Sequence, residues 1–190
     1  MEKAEARKEV RRRIAALSPA ERAAKARRIK ERLLRVPEFA AAKVVMLFAS
    51  MPDEADTRPI IEAALKAGKT VVLPRVNEAT RDMAACRVKD LTADTAAGSY
   101  GIREPLGAAA VAVSAIDFCL LPARAFDRQG RRLGRGAGYY DRFMASPGFR
   151  AFRCGIAFHA QIMEAVPHDE HDIPVQMIVT DEELIVPRAR

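Results

Sequence analysis

Two unbroken apolar runs of strand length, VVMLFA from Val44 to Ala49 and TVVLP from Thr70 to Pro74, bracket a segment from about Arg58 to Ala67 that reads as a helix stopped by Gly68. A strand without polar alternation has to be covered on both faces, so the pair with its intervening helix predicts a β-α-β unit in a parallel sheet. Further strand-length segments follow: a shorter one near Met83 to Val88, AIDFCLLP from Ala115 to Pro122, CGIAF from Cys154 to Phe158, and QMIVT from Gln176 to Thr180. A short helix is expected between the last two, at Gln161 to Val166, and YYDRFMA after Gly138 has helical character.

The expected fold class is α/β, a single-domain, Rossmann-like layered fold with a mostly parallel sheet and helices on both faces. A first helix to Leu17 precedes Ser18-Pro19-Ala20-Glu21, a capping box with proline in the first turn of a second helix that fades near Val36-Pro37. This N-terminal helical pair, residues 1–36, is expected to pack on the core of one domain spanning residues 1–190. A chain of 190 residues buries roughly 70% of its unfolded surface, enough for a substantial core.

RLGRGAGYYD, from Arg132 to Asp141, carries the chemistry. Gly134, Gly136 and Gly138 lack a β-carbon, so the backbone can turn through φ > 0 and bring N–H groups against an anion. Arg132 and Arg135 add planar, bidentate contacts to phosphate oxygens. The N–H groups opening the following helix face the same ligand, and Asp141 stands where a magnesium ion bridging phosphates takes a carboxylate oxygen. A Walker loop would need Lys-Ser or Lys-Thr after its last glycine, and a dinucleotide fingerprint would need G-x-x-G spacing after the first strand; neither is present. A glycine turn with surface charges is the plainer alternative.

Ligands collect at the carboxyl ends of parallel strands. The loop after Ala49, the GIREP segment (101–105) and the glycine loop after Pro122 are all expected at such ends and could meet at one site. SMPDEADT places Asp53, Glu54 and Asp56 in the first of these, where a carboxylate can accept hydrogen bonds from a ligand's N–H groups or cap the next helix. PHDEHD offers His168, His171 and Asp172. Two histidines without a third matched ligand make a poor zinc site, and Asp172 is better suited to magnesium. His159 follows another strand end. No Ser, His and Asp constellation is evident, which fits phosphoryl transfer, where positioning and charge neutralisation dominate.

The formal net charge of +7 is concentrated in residues 1–35, which balance at +8 and leave the remainder at −1. Without an aromatic residue there to stack on bases, solvated helix surface is the better reading than nucleic-acid binding. Glu2, Glu5 and Glu9 argue against a transit peptide, no apolar signal core is present, and no run reaches the ~20 residues of a membrane span, so a cytoplasmic location is expected. Cys86, Cys119 and Cys154 lack C-x-x-C spacing and are expected as small core hydrophobes.

With these pieces in place, the chain resembles the 5-formyltetrahydrofolate cyclo-ligase, or methenyltetrahydrofolate synthetase, family over nearly its whole length. LLPARAFDRQGRRLGRGAGYYDRF carries most of the resemblance, supported in order by Lys3 and Arg7 as K-x-x-x-R, FASMPDEADT, VVLPRV, GIREP, GIAF and HDIPVQMIVT.

The resemblance implies conversion of 5-formyltetrahydrofolate to 5,10-methenyltetrahydrofolate, dependent on ATP and Mg2+, with release of ADP and phosphate. It implies ATP contacts by Lys3, Arg7, Arg132, Leu133, Gly134, Arg135, Gly136, Ala137, Gly138, Tyr139 and Tyr140. Asp141 and Asp172 would hold magnesium. Ala49 and Glu54, with Arg135, Gly136, Ala137, Gly138 and Tyr139, would contact the folate, and Arg135 would be catalytic. The sequence departs from the family at Ala6, Ala49, Arg124, Ala137 and Gln176. A nucleotide-binding regulator without folate chemistry stays open as an alternative, since fold does not fix function.

Overall fold

The computed structural model describes residues 2–98, 102–107 and 109–187. The chain runs α1 (Lys3–Ala15), α2 (Pro19–Leu33), α3 (Pro37–Ala41), β1 (Val44–Met46), α4 (Arg58–Lys66), β2 (Thr70–Asn77), β3 (Asp82–Val88), β4 (Thr95–Ala97), β5 (Arg103–Pro105), β6 (Phe118–Leu121), β7 (Ala125–Asp127), β8 (Arg132–Leu133), α5 (Tyr139–Met144), β9 (Phe152–Ala157), β10 (Ile162–Met163), β11 (Met177–Thr180) and β12 (Leu184–Ile185). The main sheet has seven strands in the order β12-β11-β9-β6-β1-β2-β3. Its inner pairs are parallel, and only β12 and β3 add antiparallel edges.

Alternate side chains on these strands divide between two cores, as a pleated strand requires. Val45, Val71, Phe118, Leu120, Cys154, Ile156 and Val179 enter one core, with Ile29 and Leu33 of α2, Phe39 of α3 and Ile60, Ile61 and Ala64 of α4. Met46, Val72, Cys119, Leu121, Ala157 and Ile178 enter the other, with Phe143 and Met144 of α5 and Phe126 of β7. Helices therefore cover both faces, unequally. Gly155 on β9 is where Phe126 approaches the sheet, and an added β-carbon there would lie 2.5 Å from its ring.

A third cluster docks the N-terminal helix. Ala6, Val10 and Ile14 lie on one face of α1 and pack against Ala125, Leu133, Met163 and Val166. Ala6 is fully buried, so the small residue at this position lets the helix lie close. Ser18 caps α2, its hydroxyl accepting from Glu21 N at 3.2 Å while the Glu21 carboxylate accepts from Ser18 N at 2.8 Å.

Several expectations are corrected. Gln161 to Val166 is not a helix: a 3-10 turn at His159–Gln161 leads into β10, because Gln161 is drawn inward to bond Phe158 N, Ala123 O and Arg124 O. The apolar run from Val44 is strand only to Met46; Leu47 N still donates to Val72 O at 3.0 Å, and beyond it the chain peels away toward Thr57. AFDRQG is half strand: β7 and β8 form a hairpin whose turn is ordered by buried Asp127, which accepts from Gln129 N, Arg131 N and Val166 N. Helix α3 and the β4–β5 hairpin are additions, while α1 and α2 stop at Ala15 and Leu33, short of the expected ends. All three cysteines are buried and free, and no helix is long and apolar enough to cross a membrane among the described residues.

Candidate nucleotide and folate site

β1 and β6 are parallel neighbours, so the segments leaving Met46 and Leu121 emerge at the same end of the sheet. The first is tied into a rigid loop: Thr57 Oγ1 donates to Phe48 O at 2.6 Å and accepts from Ser50 N at 3.0 Å, and Ser50 Oγ accepts from Thr57 N at 3.1 Å. Within it Glu54 Oε2 accepts from Met51 N at 2.9 Å, which fixes the carboxylate pointing into the site. Ala49 is half-buried in the same segment.

The second segment passes through the β7–β8 hairpin into the glycine loop. Gly136 and Gly138 adopt φ of +113° and +70°, conformations that side-chain-bearing residues rarely hold. Gly134 does not need positive φ, contrary to one reading of the triplet; its carbonyl accepts from Arg7 Nε at 3.0 Å. A β-carbon on Gly136 would lie 3.7 Å from Arg7 Nη2. The helix that follows, α5, is only six residues long, so its dipole contribution is small.

Charged side chains from four parts of the chain meet around this loop. Arg135 Nη2 donates to Glu54 Oε1 at 2.7 Å and to Asp53 Oδ1 at 3.1 Å. Asp53 is also paired with Arg124. Partial burial opposes ionisation of Asp53, but hydrogen bonds and charge from Arg124 and Arg135 prevail and hold its carboxyl below the ordinary 3.8. Arg132 is buried and pairs with Asp141, while its Nε has no hydrogen-bond partner. Asp141 Oδ1 accepts from Ile173 N at 3.1 Å, which brings Asp172 alongside. Lys3 Nζ bonds Asp169 Oδ2 at 2.6 Å and Asp172 Oδ2 at 3.2 Å. Asp172 lies below its ordinary 3.8 for a similar balance: desolvation opposes, and Asp169 N, Lys3 and the Arg132 charge outweigh it.

Lys3, Arg7, Arg132, Gly134, Arg135, Gly136, Asp141, Asp172 and Glu54 thus converge as the sequence suggests. Leu133 does so only through its backbone, since its side chain is buried with α1 and its carbonyl accepts from Arg124 N at 2.7 Å. Tyr140 packs against the second core, and desolvation pushes its phenol well above 10. Tyr139 lies beneath the Arg142 guanidinium, 5.5 Å from ring centroid to Cζ. Ala137 is exposed, and its carbonyl accepts from Arg142 Nη2 at 2.8 Å.

GIREP does not join this network among the described residues: Arg103 bonds Leu91 O, Thr92 O and Thr95, in the segment after β3, and Gly101 lies outside the described residues. His159 sits elsewhere, beside Glu182 and Glu183, and His168 and His171 are exposed.

Two residues were undervalued by sequence reading. Arg124, conspicuous only as a departure from an apolar position, is the second partner of Asp53. Arg142 spans from the glycine loop to Arg81 O, bonded at 3.1 and 3.0 Å from Nε and Nη2. Gln176 is explained by its strand edge, where Oε1 accepts from Arg153 N.

Among the described residues no three His, Cys, Asp or Glu side chains gather as a metal cage. Asp141 and Asp172 offer two oxygen donors beside cations suited to phosphate, the donor set expected when magnesium is shared between one or two carboxylates and a nucleotide.

A profile for the 5-formyltetrahydrofolate cyclo-ligase family matches residues 1–181. 5-Formyltetrahydrofolate cyclo-ligase of Mus musculus is 29% identical over 186 residues, covering 93% of this chain and 92% of the relative. The enzyme of the same name from Escherichia coli K12 is 31% identical over 174 residues, covering 90% and 96%. The NMR structure of Aquifex aeolicus 5,10-methenyltetrahydrofolate synthetase superposes with a TM-score of 0.86 at 34% identity, covering 100% of this chain and 95% of that one.

Proposed function

The chain belongs to the 5-formyltetrahydrofolate cyclo-ligase family, and from that premise we propose how its own residues carry out ATP-dependent closure of 5-formyltetrahydrofolate to 5,10-methenyltetrahydrofolate. The protein is a ligase that uses ATP and acts on a small-molecule folate. The observation that carries the assignment of residues is the placement of α1: Lys3 and Arg7, one turn apart on one helix face, reach Asp172 and the Gly134 carbonyl respectively. A helix remote in sequence is thereby docked beside the glycine loop, with one cation on the loop and the other on Asp169 and Asp172.

In this reading Lys3, Arg7 and Arg132 receive the triphosphate, and the loop from Arg132 to Tyr140 wraps it. The unpartnered Nε of Arg132 is a buried donor, and an anion satisfies it. Asp141 and Asp172 would hold Mg2+ beside the phosphates that Arg132 and Lys3 contact. Bound there, the metal supplies charge neutralisation on the phosphate oxygens. Glu54 accepts from the N–H groups of the pterin-like ring, with Ala49 beside it, and the backbone and side chains of Arg135, Gly136, Ala137, Gly138 and Tyr139 separate nucleotide from folate.

Arg135 stabilises charge on the phosphoryl group as it passes from the γ-position of ATP to the formyl oxygen. The anilino nitrogen then attacks the activated carbon and gives up its proton, the ring closes, and phosphate leaves with the former formyl oxygen and takes up that proton or passes it to solvent. Glu54 and Asp53 hold Arg135 in place before substrates arrive, so it need not be ordered during the reaction. Residues 1–190 act as one catalytic unit here, and the free buried cysteines support a reducing, cytoplasmic setting.

Purified protein with 5-formyltetrahydrofolate, ATP and magnesium should give a rise in methenyl absorbance. The absence of any ATP-dependent rise from well-folded protein would reject the activity.

A further inference from the structure

Arg135 is held by two carboxylates, Glu54 at 2.7 Å and Asp53 at 3.1 Å. One guanidinium between two ionised acids leaves a negative charge in excess, and a phosphoryl group, itself anionic, is repelled by it. Asp53 carries the remedy. Its Oδ1 receives Arg135 while its Oδ2 is paired with Arg124, so the carboxylate bridges two guanidinium groups and the quartet of Arg124, Asp53, Arg135 and Glu54 is neutral.

The two acids are fixed in different ways. Glu54 is oriented by the backbone, through Met51 N. Asp53 receives no backbone N–H among the described residues; its hydrogen bonds come from Arg124 and Arg135. Of these two, Arg124 is the better anchored. Its side chain is 16% exposed, against 35% for Arg135. In the link between β6 and β7, its N–H donates to Leu133 O at 2.7 Å and its carbonyl accepts from the buried Gln161 Nε2 at 3.1 Å. Leu133 ends β8, two residues before Arg135, so the residue that clasps Asp53 is bonded to the strand from which Arg135 departs.

We propose that Arg124 is a positioning residue for the reaction: by clasping Asp53 it fixes the carboxylate that steadies Arg135 and cancels the negative charge that two acids would otherwise bring to the phosphoryl group. The inference rests on the reading in which Arg135 stabilises that group. Arg124 acts through Asp53 and Arg135, not on the substrates. Partial burial already opposes ionisation of Asp53. Without Arg124, the charges facing it are Arg135 from the glycine loop and Glu54 from its own loop, with Arg22 of α2 bonded to the neighbouring Pro52 carbonyl at 3.4 Å. Its carboxyl should then titrate higher.

The test compares wild-type protein with Arg124→Met, which keeps side-chain length without charge, with Arg124→Lys, which restores the charge, and with Arg124→Met combined with Arg135→Ala. Under steady-state conditions with 5-formyltetrahydrofolate, ATP and magnesium, Arg124→Met should lower kcat roughly tenfold, the effect of a modest misplacement. The KM for the folate should change by less than about twofold, because Glu54 keeps its own anchor. Arg124→Lys should recover most of the loss. In Arg135→Ala protein, Arg124→Met should cost less than about twofold more, since residues acting as a unit are not additive.

Circular dichroism and thermal melts check folding, and Arg124→Gln, which keeps a polar head, replaces Arg124→Met if that variant does not fold. A kcat within about twofold of wild type, or a loss repeated in full beside Arg135→Ala, overturns the proposal. So does a parallel rise in KM for the folate, the result expected if Arg124 only holds the loop in shape. If wild-type protein turns over no 5-formyltetrahydrofolate, the functional reading fails separately. NMR titration of the Asp53 carboxyl carbon then decides the clasp: a higher midpoint in the folded Arg124 variant supports it, and an unchanged midpoint overturns it.

Discussion

Arg135 and Glu54 meet at 2.7 Å across the mouth of the site, one from the glycine loop after β8 and the other from the loop after β1. The loop after β1 leaves the main sheet beside β6, and the chain that follows β6 reaches the glycine loop through the β7–β8 hairpin of the smaller sheet, so this contact joins segments carried by both sheets. Arg135 keeps about a third of its side chain exposed, so an arriving anion can reach the guanidinium where its two carboxylate partners hold it.

Arg135→Ala should lower kcat by about 100-fold or more, the scale of losing one preorganised charge-stabilising group. The melting temperature should change only modestly, because Arg135 itself is partly exposed and its ion pairs contribute about 1 kcal/mol. Steady-state kinetics beside a thermal melt measure both. A kcat within a few-fold of wild type would remove Arg135 from catalysis.

Glu54→Gln keeps the shape of the side chain but discards the charge that holds Arg135 and accepts from Met51 N. The expected result is a rise of about 10- to 100-fold in KM for 5-formyltetrahydrofolate, the range for a charge-assisted hydrogen bond, with a much smaller change in KM for ATP. Comparable changes for both substrates would place Glu54 in loop architecture alone.

Asp141→Asn separates structure from metal binding. Arg132 has a side chain only 4% exposed and pairs with Asp141, so removing the carboxylate charge leaves a buried guanidinium uncompensated. Discounted for the partial exposure of Asp141, the cost should be about 2 kcal/mol in urea unfolding. If Asp141 also holds magnesium, the concentration of Mg2+ needed for half-maximal rate should rise in folded Asp141→Asn protein. An unchanged magnesium requirement would confine Asp141 to the ion pair.

Acid should destabilise the protein through carboxylates already held low. Asp53 and Asp172 lie below 3.8, and Glu9 is lowered to about 2 from 4.5 by hydrogen bonds from Arg12 and Arg13. A depressed folded-state value binds fewer protons than the unfolded chain, so the stabilisation is complete above the unfolded values and lost as pH falls through the folded ones. Stability should be level above about pH 5 and decline from about pH 4.5 toward pH 2. Asp53→Asn should flatten the part of the decline below 3.8. Denaturant midpoints across that range measure it, and an unaltered slope would mean that Arg124 and Arg135 do not stabilise the ionised carboxylate.

Much of this was legible in the sequence because local signals and tertiary contacts agree there. Val44 to Met46 and Phe118 to Leu121 are apolar on both faces since both cores press on them, and the Ser18 box closes as written. The misreadings occur where one contact overrides local preference. Gln161 looks helical until its side chain is drawn to Ala123 O and Arg124 O, and Ala125 to Asp127 looks like a turn until Leu133 and Ile162 supply partners on either side. That Lys3 would reach Asp172 and Arg7 the Gly134 carbonyl was visible only through family resemblance, because nothing in a helix's own sequence states which distant segments it will cover. Arg124 and Arg142 gave no periodic or spacing signal; their meaning lies wholly in the partners that the fold brings to them.

Arg142 provides the last test. Its guanidinium donates to Ala137 O in the glycine loop and to Arg81 O at the tip of the β2–β3 hairpin, and it lies over the Tyr139 ring. Arg81 has φ of +58°, an unusual conformation for a residue with a side chain, so its carbonyl is presented by a turn that the contact helps to hold. Arg142→Ala removes both donors and the ring contact at once. Loss of exposed hydrogen bonds should cost only about 1 kcal/mol of stability. The loop, however, loses the strut that fixes Ala137 between two glycines of positive φ, and a small misplacement of positioning groups can slow a reaction severely. The expected outcome is faster hydrogen exchange confined to the glycine loop and the hairpin tip, with kcat/KM reduced by about tenfold or more. Arg142→Lys, which can reach one carbonyl but not both, should fall between. If exchange in the loop is unchanged while activity drops, Arg142 acts on the substrate directly; if neither changes, the glycine loop is held without it.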